Sequence, residues 1–274
     1  MSTSIMGILN LTPDSFSDGG RFDDGAGTPD VAAAVTEALR MTQAGADLID
    51  VGGESTRPGA EPTPVAEEQR RILPVLEELL GCGISVSVDT RRAATALAAL
   101  ECADRTGVDP RTLTINDVSG ALTDPAMPEL IAESGAQVVI THNRGDAKTM
   151  GSLTSYDSLL EDVTGELLAI RDRYLDAGAR RDQLILDPGI GFSKTHEQNW
   201  ELIRGLEDFV RLGHRVLFGA SRKGFLAPVS SGTARDTATA VLSALAAQAG
   251  VWGVRVHDVQ SSRDAVQVIS KLRS

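Results

Sequence analysis

The stretch ISVSVDTRRAATALAALECADRTGVDPRTLTIND, residues 84–117, holds one full period of the pattern that decides the fold. It opens on a short apolar run rich in β-branched residues, Ile84 to Val88, passes into an alanine- and leucine-rich segment of helical period, Ala93 to Cys102, and returns to an apolar run, Leu113 to Asn116. Two short buried strands joined by a helix read as a βαβ unit of a parallel sheet. Working outward, further strands are expected at Ile5 to Asn10, Asp47 to Val51, Gln137 to Thr141, Gln183 to Asp187, Arg215 to Gly219 and Gly253 to Val256. The matching helices centre on Val31 to Ala44, Val65 to Leu80, Pro125 to Ser134, Asp157 to Ala177, Glu197 to Leu212, Arg235 to Gln248 and Ser261 to Leu272. Gly45, Gly81, Gly135, Gly178, Gly213 and Gly250 each follow a helical stretch, where a left-handed C-cap is expected. Eight such units fit an α/β fold of one domain spanning residues 1–274, a (β/α)8 or TIM barrel; an open doubly wound sheet could hold the same strands.

Composition agrees with a globular enzyme and narrows its partners. The 274 residues are 42% hydrophobic and 23% charged, ordinary usage, and a chain of this length buries roughly 75% of its unfolded surface. With 26 Lys and Arg against 38 Asp and Glu, the net charge of -12 argues against nucleic acid or an anionic membrane as partner. Any anionic ligand must be held by local basic residues. Cys82 and Cys102 lack metal-ligand spacing, which points to a reduced, cytoplasmic protein. No secretion signal or membrane span is expected from the sequence.

The unusual polar residues gather at strand C-termini, where barrel enzymes build their sites. Asn10 ends strand one, Glu54 to Arg57 follow strand two, Asp89 ends strand three, Asn116 and Asp117 strand four, His142 strand five, Asp187 strand six, Ser221 to Lys223 strand seven, and His257 and Asp258 strand eight. Some, such as Thr90 and Asp258, are accounted for as caps of the following helix. Asp89, Asn116 and Asp187 combine two acceptor-only carboxylates with an amide that both donates and accepts, a set suited to a flat heterocycle bearing amino and ring N–H donors beside a carbonyl. Lys223 supplies a cation to ring acceptors; a Schiff-base lysine is the alternative, though neighbouring Arg222 and the carboxylates make a charged setting for one. Arg57, Arg255 and His257, with helix-start amides after Thr56-Arg57-Pro58-Gly59, make a phosphate or pyrophosphate site. Two long polar connections, Asp18 to Asp30 and Thr141 to Ser155, lie on that same face, and Phe16 within Asn10 to Gly20 is placed to close as a lid.

Seven segments in register resemble the dihydropteroate synthases of the pterin-binding enzyme family: Asn10 to Gly20, Gly52 to Gly59, Val88-Asp89-Thr90, Ile115 to Gly120, Asp187 to Phe192, Ser221-Arg222-Lys223 and Arg255 to Asp258. The resemblance implies condensation of 6-hydroxymethyl-7,8-dihydropterin pyrophosphate with p-aminobenzoate, giving dihydropteroate and pyrophosphate in folate biosynthesis, with inhibition by sulfonamides. It implies that Asp89, Asn116, Asp187 and Lys223 hold the pterin, that Asn10, Arg57, Arg255 and His257 hold pyrophosphate with Mg2+ near Asn10, and that Phe16, Thr56, Pro58, Phe192 and Ser221 shape the p-aminobenzoate pocket. Catalysis would fall to Asp18, Asp89, Lys223, Arg255 and His257 through an SN1-like path in which Asp89 and Asp18 stabilise a pterin cation and the cationic groups stabilise leaving pyrophosphate. A homodimer is implied as well. Two departures stand out: Thr141-His142-Asn143 occupies the place of Met-His-Met, and Asp104 to Arg111 is an insertion expected on the far face. The alternatives are a methyltetrahydrofolate-dependent methyltransferase, which should lack loop one and Ser-Arg-Lys, and a catalytically silent pterin-binding paralogue.

Overall fold

The structure, a computed structural model, describes residues 3–12, 30–55, 57, 59–230 and 234–274. The eight strands are β1 (Ser4–Asn10), β2 (Leu48–Gly52), β3 (Val86–Asp89), β4 (Thr114–Asp117), β5 (Gln137–Thr141), β6 (Leu184–Asp187), β7 (Arg215–Phe218) and β8 (Gly253–Val256). They pair in parallel in chain order, and β8 pairs back onto β1, which closes the barrel and removes the open-sheet alternative. Around it run α1 (Val31–Gln43), α2 (Val65–Gly81), α3 (Ala93–Arg105), α4 (Met127–Ser134), α5 (Leu159–Asp176), α6 (His196–Arg204), α7 (Leu206–Arg211), α8 (Ala234–Ala249) and α9 (Val259–Arg273). Among the described residues no helix is long and apolar enough to cross a membrane.

Three expectations shift. The single helix read over residues 197–212 breaks at Gly205, where any side chain would meet Leu160 of α5 at 2.5 Å; the chain bends there to pack on α5. Gly81 stays inside α2, and Gly83 takes the left-handed position instead, with φ of 71°. The chain after residues 56–59 does not start a helix at once, since α2 begins at Val65 behind Pro64. The insertion at 104–111 ends α3 and leads into β4 from its N-terminal end, the far face as expected. Asp258 caps α9 through Ser261 N, and Thr90 accepts from Arg92 N ahead of α3. Both cysteines are free thiols, Cys82 exposed and Cys102 buried.

Side chains on a strand alternate faces, so residues two apart share one. One apolar cluster fills the space between strands and helices, and a second, Met6, Leu48, Val139, Ile185 and Leu217, plugs the lumen. Two residues further along the same strands stand Ile8, Asp50, Thr141, Asp187 and Gly219. That single step carries the lumen from hydrocarbon to polar groups and sets the floor of the site.

Candidate active site

The mouth is organised on its β2–β3–β8 side by a carboxylate that the sequence reading missed. Asp50, wholly buried on β2, accepts from Arg255 Nε at 2.6 Å and from Asn116 Nδ2 at 3.1 Å, while Arg255 Nη2 reaches Asp89 Oδ2 at 2.7 Å. Four residues from four strands are thus tied together. A lone acid inside the apolar run Leu48-Ile49-Asp50-Val51 was the available signal, since buried acids are rare unless paired. Burial raises the Asp89 carboxyl to about 7 against the pull of Arg255, with Asp50, Glu68 and Glu54 pushing the same way as burial. Oδ1 of Asp50 and Oδ1 of Asn116 have no hydrogen-bond partner, so this network has unused acceptors facing inward.

On the β6–β7 side the same role falls to a tight turn. Asp187 ends β6 and accepts from Gly189 N at 2.7 Å; burial raises its pKa, opposed by the nearby charge of Lys223. Lys223 runs along Gly191, where an added Cβ would sit 2.6 Å from its Cδ, so only glycine leaves the lysine its path. Its Nζ donates to the Ile190 carbonyl and lies 4.3 Å from the centre of the Phe192 ring. Burial lowers the Lys223 pKa to about 8 while Asp187 acts to raise it. With the carboxylates of Asp187 and Asp89 in its field, Lys223 suits hydrogen bonding to a ring better than Schiff-base chemistry.

Asn10, Arg57, Asp89, Phe192, Ser221, Lys223, Arg255 and His257 all line one cleft of about 1110 Å3; Asn116 and Asp187 are buried behind that lining, Asn116 tied to it through Asp50 and Arg255 and Asp187 next to Gly219. β1 lies between β2 and β8, which brings Arg57 and His257 to the same side. Ser221 Oγ stands 2.9 Å from His257 Nδ1 and accepts from His257 N at 3.1 Å. Burial, then the charges of Arg222, Arg255, Arg57 and Lys223, lower the His257 pKa to about 3, so the ring is neutral in the free protein. Arg255, expected in the anion site, lines the cleft with Arg57 and His257 while its guanidinium bridges Asp50 and Asp89, so it adjoins both the anion and the heterocycle sides.

The loop after β2 is held from below. Glu54 accepts from Arg91, Arg92 and Thr63 N, and Arg92 also bridges to the wholly buried Glu68. The connection after β5 is docked to that loop by Gly59 N on Ala147 O at 2.8 Å and by Lys148 on Glu61 at 2.8 Å, and its Met150 and Gly151 line the cleft. His142 and Asn143 are buried: Asn143 joins Val118 O to Ser193 Oγ. Thr141, opposite Asp187 in register, is wholly buried with its hydroxyl unpaired. Phe16, Asp18, Thr56 and Pro58 lie outside the described residues. Lys194, which the sequence reading did not single out, is buried, donates to the Phe192 carbonyl and borders the same cleft.

Comparison with known proteins converges on one family. The family described as pterin binding enzyme matches residues 6–257. The chain is 45% identical to dihydropteroate synthase of Mycobacterium leprae, over 97% of this chain and 92% of that one. It is similar to the solved dihydropteroate synthase of Clostridium difficile in the presence of pteroic acid, with TM-score 0.86 and 36% identity over 99% and 97% of the two chains. It is likewise similar to the Yersinia pestis dihydropteroate synthase with a sulfonamide drug complex, with TM-score 0.88 and 34% identity over 99% and 94%.

Proposed function

We infer that this chain, which belongs to the pterin-binding enzyme family, is a transferase of folate biosynthesis that condenses 6-hydroxymethyl-7,8-dihydropterin pyrophosphate with p-aminobenzoate to give 7,8-dihydropteroate and pyrophosphate. The observation that carries the reading is the cleft itself, lined by Asp89 with cationic and neutral donors, and backed by the buried carboxylate of Asp187 and amide of Asn116. Asp187, Asn116 and Asp89 offer acceptors to the amino and ring N–H groups of a pterin, and Lys223 donates to its carbonyl or ring nitrogen. Arg57, His257 and Arg255 face the pyrophosphate, and Phe192 and Ser221 border the p-aminobenzoate, a pocket to which the resemblance adds Phe16, Thr56 and Pro58. The sulfonamide on the Yersinia pestis enzyme supports the same site as a sulfonamide target here.

The chemistry follows from placing opposite charges at opposite sides of one carbon. The C–O bond to pyrophosphate breaks with its electron pair leaving on oxygen, and the pterin delocalises the resulting cation. Ionised Asp89, joined by Asp18 as the resemblance implies, stabilises that cation, while Arg255 and His257 stabilise the negative charge forming on departing pyrophosphate and Lys223 holds the pterin ring. The aniline lone pair then closes the C–N bond, and the acidic anilinium proton passes to pyrophosphate without a dedicated base. A kinetic isotope effect demanding fully associative attack would overturn this order of steps.

Mg2+ fits as a cation carried with the pyrophosphate. Among the described residues no group of three His, Cys, Asp or Glu side chains could hold a metal, whereas the Asn10 amide oxygen faces the cleft near Gly52 and Asp89, and a hard cation bound mainly by phosphate oxygens and water needs little more. When bound there it would neutralise charge on the leaving group. A cytoplasmic homodimer accords with the free thiols and with apolar i,i+4 pairs left exposed on packed neighbours, Val241 and Leu245 on α8 and Val268 and Leu272 on α9. Purified protein given both substrates and Mg2+ should form dihydropteroate. Pterin binding without turnover would mean a silent paralogue, and methyl transfer from methyltetrahydrofolate would mean the other alternative.

A further inference from the structure

Beneath the pterin-holding turn lies a chain of buried polar groups that the mechanism above does not use. Lys194 is 8% exposed, and three acceptors converge on its Nζ: Gly189 O at 3.1 Å, Phe192 O at 2.9 Å and His142 Nδ1 at 2.9 Å. Ile190 O, between those two carbonyls, receives Lys223. One turn is therefore clasped by two lysines, one fixing its shape and one facing the ligand. Burial works to strip the proton from Lys194, but a neutral amine has two N–H groups and three acceptors surround it; only the ammonium satisfies all of them.

The far end of the chain decides where the histidine proton sits. His142, with no exposed surface, has Nε2 at 3.1 Å from Glu166 Oε2 on α5, and Glu166 is held ionised by Arg144. A carboxylate there accepts only, so Nε2 must carry the hydrogen, which leaves Nδ1 as the lone-pair acceptor that Lys194 needs. Burial first, then the charge of Lys194, lowers the His142 pKa to about 3, so the ring is neutral. The other charges bearing on Lys194 are Asp187, Lys223 and Arg144.

We propose that Lys194 is a positioning residue for the pterin-holding turn, kept in its three-donor state by the Nε2-protonated tautomer of His142, which Glu166 on α5 imposes. The tautomer is a property of the free protein. The kinetic consequence rests on the pterin reading: loosening the turn moves Lys223 and Phe192, which that reading places against the substrates.

With 15N-labelled histidine in the intact chain, His142 should show a neutral ring protonated on Nε2 from pH 5 to 9; a proton on Nδ1 or an imidazolium overturns the proposal. Lys194→Met should raise the KM for the pterin pyrophosphate about tenfold to a hundredfold with kcat within about threefold, as for a lost charge-assisted hydrogen-bond set. An unchanged KM in a folded variant overturns it. Should Lys194→Met fail to fold, Glu166→Gln decides: its amide can donate as well as accept, so the ring is freed to move its proton and the nitrogen shifts should move toward the Nδ1-protonated form. Shifts unchanged in Glu166→Gln overturn the link. The expected tautomer with no turnover of any pterin would count against the functional reading alone.

Discussion

At the level of Met6, Leu48, Val139, Ile185 and Leu217 the barrel lumen is close-packed hydrocarbon; two residues further along, the same strands present Ile8, Asp50, Thr141, Asp187 and Gly219. The lower layer satisfies itself. The upper layer does not: Asp50 Oδ1, Asn116 Oδ1, Ser87 Oγ and Thr141 Oγ1 are buried without hydrogen-bond partners, and Asp89, Asp187 and Lys223 all have pKa values displaced by burial. Groups in that condition cost stability unless something completes them. The lower layer is built for folding and the upper for a ligand, although one strand path makes both.

Substitutions that separate the two layers test this contrast. Arg255→Ala, which removes the cation shared by Asp50 and Asp89, should lower kcat/KM about a thousandfold, equivalent to about 4 kcal/mol of transition-state stabilisation. Lys223→Ala should fall within tenfold of that, and near-normal steady-state activity in both would dismantle the assignment of the mouth. Leu217→Ala, one layer down, should do the reverse. Emptying a fully buried site should cost about 3 kcal/mol of unfolding free energy in urea, while kcat of the folded protein at low temperature stays within about threefold. A large kcat loss without a stability loss would mean that the lower layer belongs to the site.

The titrations give a smaller effect with a definite sign. Free enzyme needs Asp89 ionised and Lys223 protonated, so kcat/KM against pH should be a bell rising through about 7 and falling through about 8. Stability should show the complementary trend. The Asp89 carboxyl holds its proton to about 7 in the fold against 3.8 ordinarily, so its contribution is complete below about 4 and is lost as pH rises to about 7. Lys223, lowered from 10.5 to about 8, binds its proton more weakly in the fold, and stability recovers as pH rises across that interval. Asp89→Asn should flatten the first decline in urea midpoints and remove the acid limb of the rate profile; a decline that persists assigns it to another carboxyl.

The same contrast explains what was legible in the sequence. Period-two apolar runs such as Val86 to Val88 and the glycine stops located every strand to within two residues, because strand burial and helix termination are local. Asp89, Asn116, Asp187, Lys223 and His257 were visible as polar residues at strand ends, where position alone implies the mouth. Asp50 was hidden inside an apolar strand, and its partners Arg255 and Asn116 are 205 and 66 residues away, so nothing local announces the bond. Lys194 was equally hidden, because a lysine in a loop looks solvated until the fold brings His142 beneath it. The bend at Gly205 depends on Leu160 of another helix and could not be read from its own segment.

Thr141 is where the two layers meet and where the smallest effect discriminates most. The resemblance places a methionine there; this chain places a wholly buried threonine opposite Asp187 in register, with an unpaired hydroxyl. If the hydroxyl merely occupies space, Thr141→Val, which keeps the shape and removes an unsatisfied polar atom, should stabilise the free protein by roughly 1 kcal/mol and change pterin affinity less than threefold. If the hydroxyl is completed by the bound heterocycle, the same substitution should stabilise the free protein and weaken the pterin about tenfold, the cost of leaving a ligand polar group unpaired. The unsatisfied neighbours Asp50 Oδ1 and Asn116 Oδ1 favour the second outcome, because in a layer that leaves several acceptors open an open hydroxyl belongs with them. Calorimetric pterin binding alongside thermal unfolding of Thr141→Val measures both quantities, and a loss of stability without loss of affinity would place Thr141 in the lower, self-satisfied layer.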